Sequence, residues 1–544
     1  MSEPIQANIS GATDAAVLIA QLQQKLSSYE QQITVQAEQL TRKDQALQLA
    51  ELKIRALEER LRLERIARYG KRSEKLSDLQ LQLLDLEPGV SSEEVEAESQ
   101  RDPLTPDRNN DTSKPKRRNQ NHPGRNQLPE HLERVSKVIA CTPEQCICGQ
   151  CGNQTKVIGY EETEVLEVKP AEYFVQVTRR EKRACGQCEQ QGVQTAAVPE
   201  RIMPKSLLSD QVIIDLVVNK YCDAQPLYRQ QDRLRRDAGV DIAYSTMNDG
   251  VMRVGDLLIP VVGVMRRELL DGGYIQADET PVGVQTHDKR GRNHQGYMWQ
   301  YGSPGKDAVF DFQMGRDHKG PKKWLGPFCG LLQTDGYKAY DTVVRDKTTG
   351  AVMIHACCWA HVRRMFVDAV KVNAKDVESA QVVTAMDELF AIDREAREQK
   401  MTHAERDGLR QERAPALMDK LRTQMIAIQK TALPKSVAYR AANYTLARWK
   451  ELTVFLKHPI LELSNNQAEN SMRKVAIGRK NWLHLGHKDA GPRIAAIFSI
   501  VESCRRRNIP VRQYLANILP GLANRSIHDL DQLTPAAYAA RATM

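Results

Sequence analysis

Residues 272–284 read GGYIQADETPVGV, and residues 326–343 read GPFCGLLQTDGYKAYDTV. Each is a short apolar run that opens on glycine and reaches an aspartate at or near its end, Asp278 in the first and Asp335 in the second. Between them GYMWQYGS (296–303) and DAVFDFQMG (307–315) are further strand-type runs, and VMIHACCWAHVRRMFVDAV (352–370) is a strand that continues into a helix. Strands in series followed by helices predict an α/β sheet covered by helices. Adjacent strand ends then bring Asp278 and Asp335 to one sheet edge. Hard carboxylate oxygens suit Mg²⁺, which keeps part of its water and takes its remaining ligands from a substrate phosphate. Two such ions about 3.5–4 Å apart stabilise the attacking and leaving oxygens of an in-line displacement.

A third carboxylate is expected from a helix. LSNNQAENSMRKVAIGRKNWLHLG (463–486) offers Ser464, Asn465 or Asn466 as a cap, with Glu469 about one turn in. Glu469, Met472, Arg473 and Ala476 share a face by their spacing. Arg473, Lys474, Arg479 and Lys480 follow as candidate phosphate contacts. The chain has 69 acidic residues, so capping and surface solvation account for three such carboxylates equally well when chemistry alone is considered.

The chain around this core, 544 residues, is too long for one hydrophobic core and predicts several domains. In 1–76, Ile19, Leu26, Ile33, Leu40, Leu47, Ile54 and Leu61 recur every seven residues. Leu22, Tyr29, Gln36, Lys43, Ala50 and Leu57 form the companion row. That heptad predicts a coiled coil that joins copies of the chain, with one long helix packed on its own protein as the other reading. Residues 77–140, first acidic and then basic and proline-rich, read as a linker. Its Arg125, with Lys114, Lys116, Arg117 and Arg118, either lies along DNA phosphates or is a solvated charge run.

Within 141–195, Cys148-x-x-Cys151 and Cys185-x-x-Cys188 are two knuckles with the spacing of a four-thiolate Zn²⁺ ribbon, and Cys141 and Cys146 lie near enough to substitute. Residues 196–270 are helical and basic, with two helices joined at Gly239 and the second opened by a hydroxyl from Ala243-Tyr244-Ser245-Thr246. This layout is compatible with a DNA-binding helix-turn-helix and equally with an ordinary helix pair. The catalytic core spans 271–505, with a helical insertion at about 372–455, and 506–544 is a C-terminal helical segment. Cys358-x-x-His361 is read first as a packed core pair and second as a metal or DNA-end contact, with His355 and Cys357 as core neighbours.

The formal charge of +9 leans towards polyanionic partners. No run approaches the roughly 18 apolar residues of a membrane span. MSEPIQANIS lacks the pattern of a signal peptide. A cytoplasmic location is expected, associated with the nucleoid on DNA and with no membrane partner, and the 11 cysteines are read as ligands or core residues rather than disulfides.

The words ADETPV, LLQTDGY, CCWAHVRRMF, LSNNQAEN and AIGRKNWL occur in the order and spacing of the transposases of the insertion sequence 66 family, a DDE group. YGKRSEKL (69–76), PGRNQLPEHL (123–132), the cysteine ribbon and KYCDAQPLYRQ resemble the same family, so the likeness covers most of the chain. It implies an RNase H-like catalytic core with Asp278, Asp335 and Glu469 as the triad holding two Mg²⁺ ions, Mn²⁺ being an alternative. It also implies binding to the element's terminal inverted repeats, strand cleavage by activated water, and attack of the freed 3′ hydroxyls on target DNA. Accessory proteins of the same element are implied partners. The competing readings are an inactive DNA-binding regulator derived from a transposase, and an Mg²⁺ nuclease that cuts without joining.

Overall fold

The computed structural model describes residues 20, 22–44, 47, 50, 54 and 57, scattered positions from 134 to 160, residues 172–183, and 194–542 apart from 287–292, 347–351 and 374–375. The chain divides into two compact units, one of residues 1–102, 198–236 and 240–544, the other of 103–197 and 237–239. In the smaller unit, Lys182–Arg183 pairs antiparallel with Gln194–Thr195. Cys148, Cys151, Cys185 and Cys188, the four predicted zinc ligands, lie outside the described residues, as does Arg125.

At the N-terminus residues 22–44 are helical, and Leu22, Leu26, Tyr29, Ile33, Leu40, Leu47, Ile54 and Leu57 stand 55–65% exposed. Ile19 and Leu61, the ends of the predicted heptad row, lie outside the described residues.

Residues 274–357 carry a five-stranded mixed sheet. Its strands are β1 (Tyr274–Val284), β2 (His294–Gly302), β3 (Ala308–Gln313), β4 (Cys329–Thr334) and β5 (Val352–Cys357), in the order β3-β2-β1-β4-β5. β1–β2 and β2–β3 are antiparallel, while β1–β4 and β4–β5 are parallel. Tyr274 to Ala277 are buried without alternation, as a central strand covered on both faces requires. β1 runs on past Asp278, through Pro281, to Val284, so Asp278 stands inside a long strand rather than at its end. It lies two residues beyond the stretch of β1 that pairs with β4.

Helices α1 (Asp210–Tyr221), α2 (Leu227–Ala238) and α3 (Tyr244–Leu270) precede the sheet, and within it α4 (Lys319–Leu325) lies between β3 and β4 in the chain and α5 (Lys338–Arg345) between β4 and β5. Gly239, at φ +66°, follows α2. The expected hydroxyl cap on α3 is absent, because Ala243 is the N-cap residue and no side chain caps the helix. One face of α3 is committed to packing: Met247, Val251, Val254, Leu258 and Val261 are buried. Its Gly255 leaves room for Arg493 of α12 (Ala490–Arg506), where any Cβ would collide. α12 in turn covers β3. Ser499 Oγ accepts from the Phe310 amide at 2.8 Å, and Ser503 Oγ accepts from the Ala308 amide at 3.0 Å. Two serines one turn apart thus satisfy an edge strand that would otherwise present bare amides.

β5 leads into α6 (Trp359–Val372), and then α7 (Val377–Glu398), α8 (His403–Thr431) and α9 (Val437–Ala447) form a helical group before α11 (Asn466–Trp482) returns to the sheet, with the short α10 (Trp449–Leu452) between. Phe366, Leu389, Phe390, Met418 and Met425 share its apolar core with Trp359. One buried ion pair crosses it, Arg410 to Asp393 at 2.6 Å with both side chains 1% exposed. Arg410 also donates to the Leu461 carbonyl at 2.8 Å, and Arg406 donates to Glu462 at 2.8 Å. α8 therefore anchors the loop that delivers α11.

Candidate active site

β1 and β4 run parallel with Gln276 opposite Gln333; Asp278 lies two residues further along β1, and Asp335 immediately follows β4. Side chains two apart share a face. On that face Tyr274, Gln276 and Asp278 of β1 accompany Gln333 of β4. The residues beneath the acids form a closed polar seam. Tyr274 Oη donates to Gln333 Oε1 at 2.5 Å, and Gln276 Nε2 donates to the same oxygen at 3.0 Å and to the Ser464 carbonyl at 3.0 Å. Gln333 Nε2 donates to the Glu462 carbonyl at 2.7 Å. Buried amides of this kind hold their partners because an unmade bond there is costly. The loop before α11 is thereby fastened to the strands that carry the two aspartates.

The N-terminus of α11 is fixed the same way. Asn465 does not cap its helix through its side chain; its Nδ2 donates to the Ala277 carbonyl at 3.2 Å and its backbone amide to Cys358 Sγ at 3.3 Å. Glu469, in the first turn, then faces the aspartates. The proximity is felt electrostatically: burial pushes the Asp278 carboxyl well above the usual range, and Glu469, Glu279 and Asp335 add to it. Like charges gathered at this spacing favour a bound proton or a cation.

Asp335 is held through its backbone. Its side chain accepts from the Tyr337 amide at 2.8 Å, its carbonyl accepts from Tyr444 Oη of α9, and Arg448 donates to the Gly336 carbonyl at 2.9 Å. Gly336 sits at φ +87°, and a Cβ there would drive into the Tyr444 hydroxyl. Behind it Thr334 Oγ1 meets His355 Nε2 at 2.9 Å, and His355 Nδ1 lies 3.3 Å from Asp341. His355 and Cys357 are buried, as core neighbours.

Cys358 is fully buried, but His361 is not part of the core: its side chain is 25% exposed and its Nδ1 lies 3.5 Å from Glu469 Oε1. Cys358 and His361 still meet, one turn apart on α6, but the histidine lies at the margin of the core and also turns towards α11. Burial lowers the His361 imidazole, yet Cys358 and Glu469 outweigh it and lift the ring to about 10. Arg364, one turn of helix past the cysteine–histidine motif, donates to Glu469 Oε2 at 3.0 Å. Glu279, almost wholly buried, is bound by Arg316 at 2.7 Å and by Tyr340 Oη at 3.1 Å. Neither Arg364 nor Glu279 was expected at the site. The only signal for Arg364 is its place on the helix after Cys358-x-x-His361.

The basic residues of α11 divide. Arg473 and Lys480 are exposed and Lys474 is half-buried, whereas Arg479 packs back on β1, donating to Thr280 Oγ1 at 3.2 Å and to the Pro281 carbonyl. Arg479 is therefore engaged in holding α11 on the sheet, a contact that its spacing among other cations could not reveal. Among the described residues, Asp278, Asp335 and Glu469 do not draw three ligand atoms to the spacing of a single ion; the trio that does is Cys358, His361 and Glu469. No described helix is long and apolar enough to cross a membrane.

The molecule is a multidomain α/β protein whose mixed sheet and one returning helix gather carboxylates beside cationic side chains. The family model described as "Transposase IS66 family" matches residues 205–493, that for "zinc-finger binding domain of transposase IS66" matches 145–189, and that for "Transposase C of IS166 homeodomain" matches 56–136. The chain belongs to the IS66 transposase family. It is also similar to two proteins of Sinorhizobium fredii (strain NBRC 101917 / NGR234), each described as uncharacterized. It is 28% identical to y4hP over 509 residues, 89% of this chain and 88% of the relative. It is 30% identical to y4jD over 420 residues, 75% of this chain and 81% of the relative. The zinc-finger match contains all four predicted cysteine ligands.

Proposed function

We propose that this chain cuts and joins DNA at the ends of its own insertion sequence, on an RNase H-like core, with Asp278, Asp335 and Glu469 as its catalytic carboxylates. The observation that carries this reading is the parallel pairing of β1 and β4, with Asp278 just beyond the paired stretch, Asp335 immediately after β4, and the charges of Glu469 and Asp335 both acting on Asp278. The strand order, three antiparallel strands continued by two parallel ones, supports the core assignment. The donor set fits Mg²⁺: all three groups are carboxylates, and the like-charge pressure on Asp278 is what a divalent cation relieves. When bound, Mg²⁺ supplies charge stabilisation to the attacking and leaving oxygens of phosphoryl transfer. Asp278 and Asp335 orient their oxygens from rigid strands, and Glu469 does so from a helix whose entry loop is pinned by Gln276 and Asn465. Arg473 and Lys480 meet the DNA phosphates at the rim.

The remaining segments complete the reading. Cys148, Cys151, Cys185 and Cys188 hold a structural Zn²⁺, and the ribbon together with 196–270 contacts the terminal repeats. The exposed seam of the N-terminal helix pairs copies of the chain, so that two ends are handled together, in the cytoplasm. Full-length protein carrying Asp278→Asn or Glu469→Gln is expected to bind end DNA as the parent does, and to cut it at least about a hundredfold more slowly, given the weight of electrostatic stabilisation in such sites. Cleavage at the parental rate by either variant would overturn the assignment.

A further inference from the structure

We propose that Cys358, His361 and Glu469 form a site for a divalent transition-metal ion of the Zn²⁺ kind, separate from the cysteine ribbon and from the carboxylate pair of Asp278 and Asp335. One potential ligand atom from each residue lies within 4.8 Å of the other two. Tetrahedral zinc, with bonds of about 2.0–2.3 Å, sets its ligands roughly 3.5 Å apart, so closing the site needs movement of only about an ångström. His361 Nδ1 and Glu469 Oε1 already face each other at 3.5 Å. Both atoms are shut off from solvent, and neither has a hydrogen-bond partner in this arrangement. Two buried atoms on facing elements, each without a hydrogen-bond partner, are costly unless something between them engages both.

The scaffold is fixed on every side. Cys358 donates its amide to the Thr334 carbonyl at 3.1 Å and is buried at the N-cap of α6, with His361 one turn on. Arg364 bonds the other oxygen of Glu469, a partner that orients a ligating carboxylate. Beyond those two atoms the side chains of His361 and Glu469 remain 25% and 24% exposed, so the site lies close beneath the surface. A donor set of one sulfur, one nitrogen and one oxygen favours zinc over magnesium, which takes oxygen ligands. Glu469 also belongs to the proposed triad, so an ion here withdraws that carboxylate from it. This consequence rests on the triad reading; the site itself does not.

The test is zinc per chain, by mass spectrometry of the metal, in full-length protein equilibrated against buffered free zinc, with the absorption spectrum of the cobalt-loaded protein beside it. The parent is expected to hold one equivalent more than Cys358→Ser and His361→Ala. Cys185→Ser in the ribbon should remove a different equivalent, and Cys185→Ser with Cys358→Ser should remove both. Cobalt in the parent should show a one-thiolate charge-transfer band that Cys358→Ser abolishes. Should the serine variant not fold, Cys358→Asp keeps an anionic ligand and is expected to hold the equivalent without that band. Equal zinc and identical cobalt spectra in parent, Cys358→Ser and His361→Ala would overturn the proposal, even if those variants cleave DNA poorly. Loss of cleavage in Asp278→Asn reports on the triad and leaves this metal count unchanged.

Discussion

At the scale of single residues, the acids are placed by neighbours that carry no catalytic signature. Gly336 shows this best. Its φ of +87° and the Tyr444 hydroxyl at the position of a Cβ leave no other residue a comfortable fit, and its carbonyl is tied to Arg448. Gly336→Ala is expected to cost about 1–3 kcal/mol of stability, the usual expense of a non-glycine residue in that region. It should also slow end cleavage more than it weakens DNA binding, and unchanged thermal unfolding together with unchanged cleavage would refute that role. Asp278 and Asp335 were legible in sequence because each follows an apolar run that buries a strand. Glu469 was legible only as one acid among many until the family words around it were read. The partners of Glu469 were not legible: His361 and Arg364 reach it from a helix far away in sequence, and helical spacing alone cannot tell which turn meets which.

Buried charge sets the fit between elements. Arg410 and Asp393 join α7 to α8, and Arg410 continues to the loop that leads into α11. Removing one partner of such a pair costs about 3–5 kcal/mol, so Arg410→Ala is expected to lower the urea midpoint strongly. Replacing both residues with apolar ones should be milder, and the reverse order would refute the reading. Glu502 of α12 is the second case, held by Arg505 at 2.8 Å and by Ser471 of α11 at 2.7 Å. Burial raises its carboxyl, but Arg505, Arg506 and Ser471 together outweigh this and hold it at about 2. Its folded value lies below the unfolded value of about 4.3. Its contribution is therefore full above that pH and is lost as pH falls towards 2. Glu502→Gln should lower the melting temperature at neutral pH and flatten its decline in acid; parallel melting curves for the two proteins would contradict this. The sheet and the helices between α6 and α11 follow from alternation and helical periodicity. The continuation of β1 beyond Asp278 does not, because its pairing with β2 involves residues a turn signal hides. Nor does the expected hydroxyl cap on α3 form, since the helix begins at Tyr244, before Ser245 and Thr246.

At the scale of the whole molecule, the proposed function joins a DNA-cutting core to segments that recognise DNA ends and pair copies of the chain. The N-terminal helix keeps its apolar row exposed, as half of a seam would. Deleting residues 1–76 is expected to reduce the oligomeric mass measured by light scattering, and an unchanged mass would mean that the row serves some other contact. The positive balance of the chain, 78 basic against 69 acidic residues, predicts DNA affinity that weakens as salt rises. The central claim concerns the three acids together. Incubation of full-length protein with the element's own ends, Mg²⁺ and a target duplex, scoring both cut and joined strands, tests it most directly. The predicted result is cutting and joining by the parent, and neither by Asp278→Asn, Asp335→Asn or Glu469→Gln, each still bound to the ends. Joined product from any of the three variants at the parental rate would contradict it.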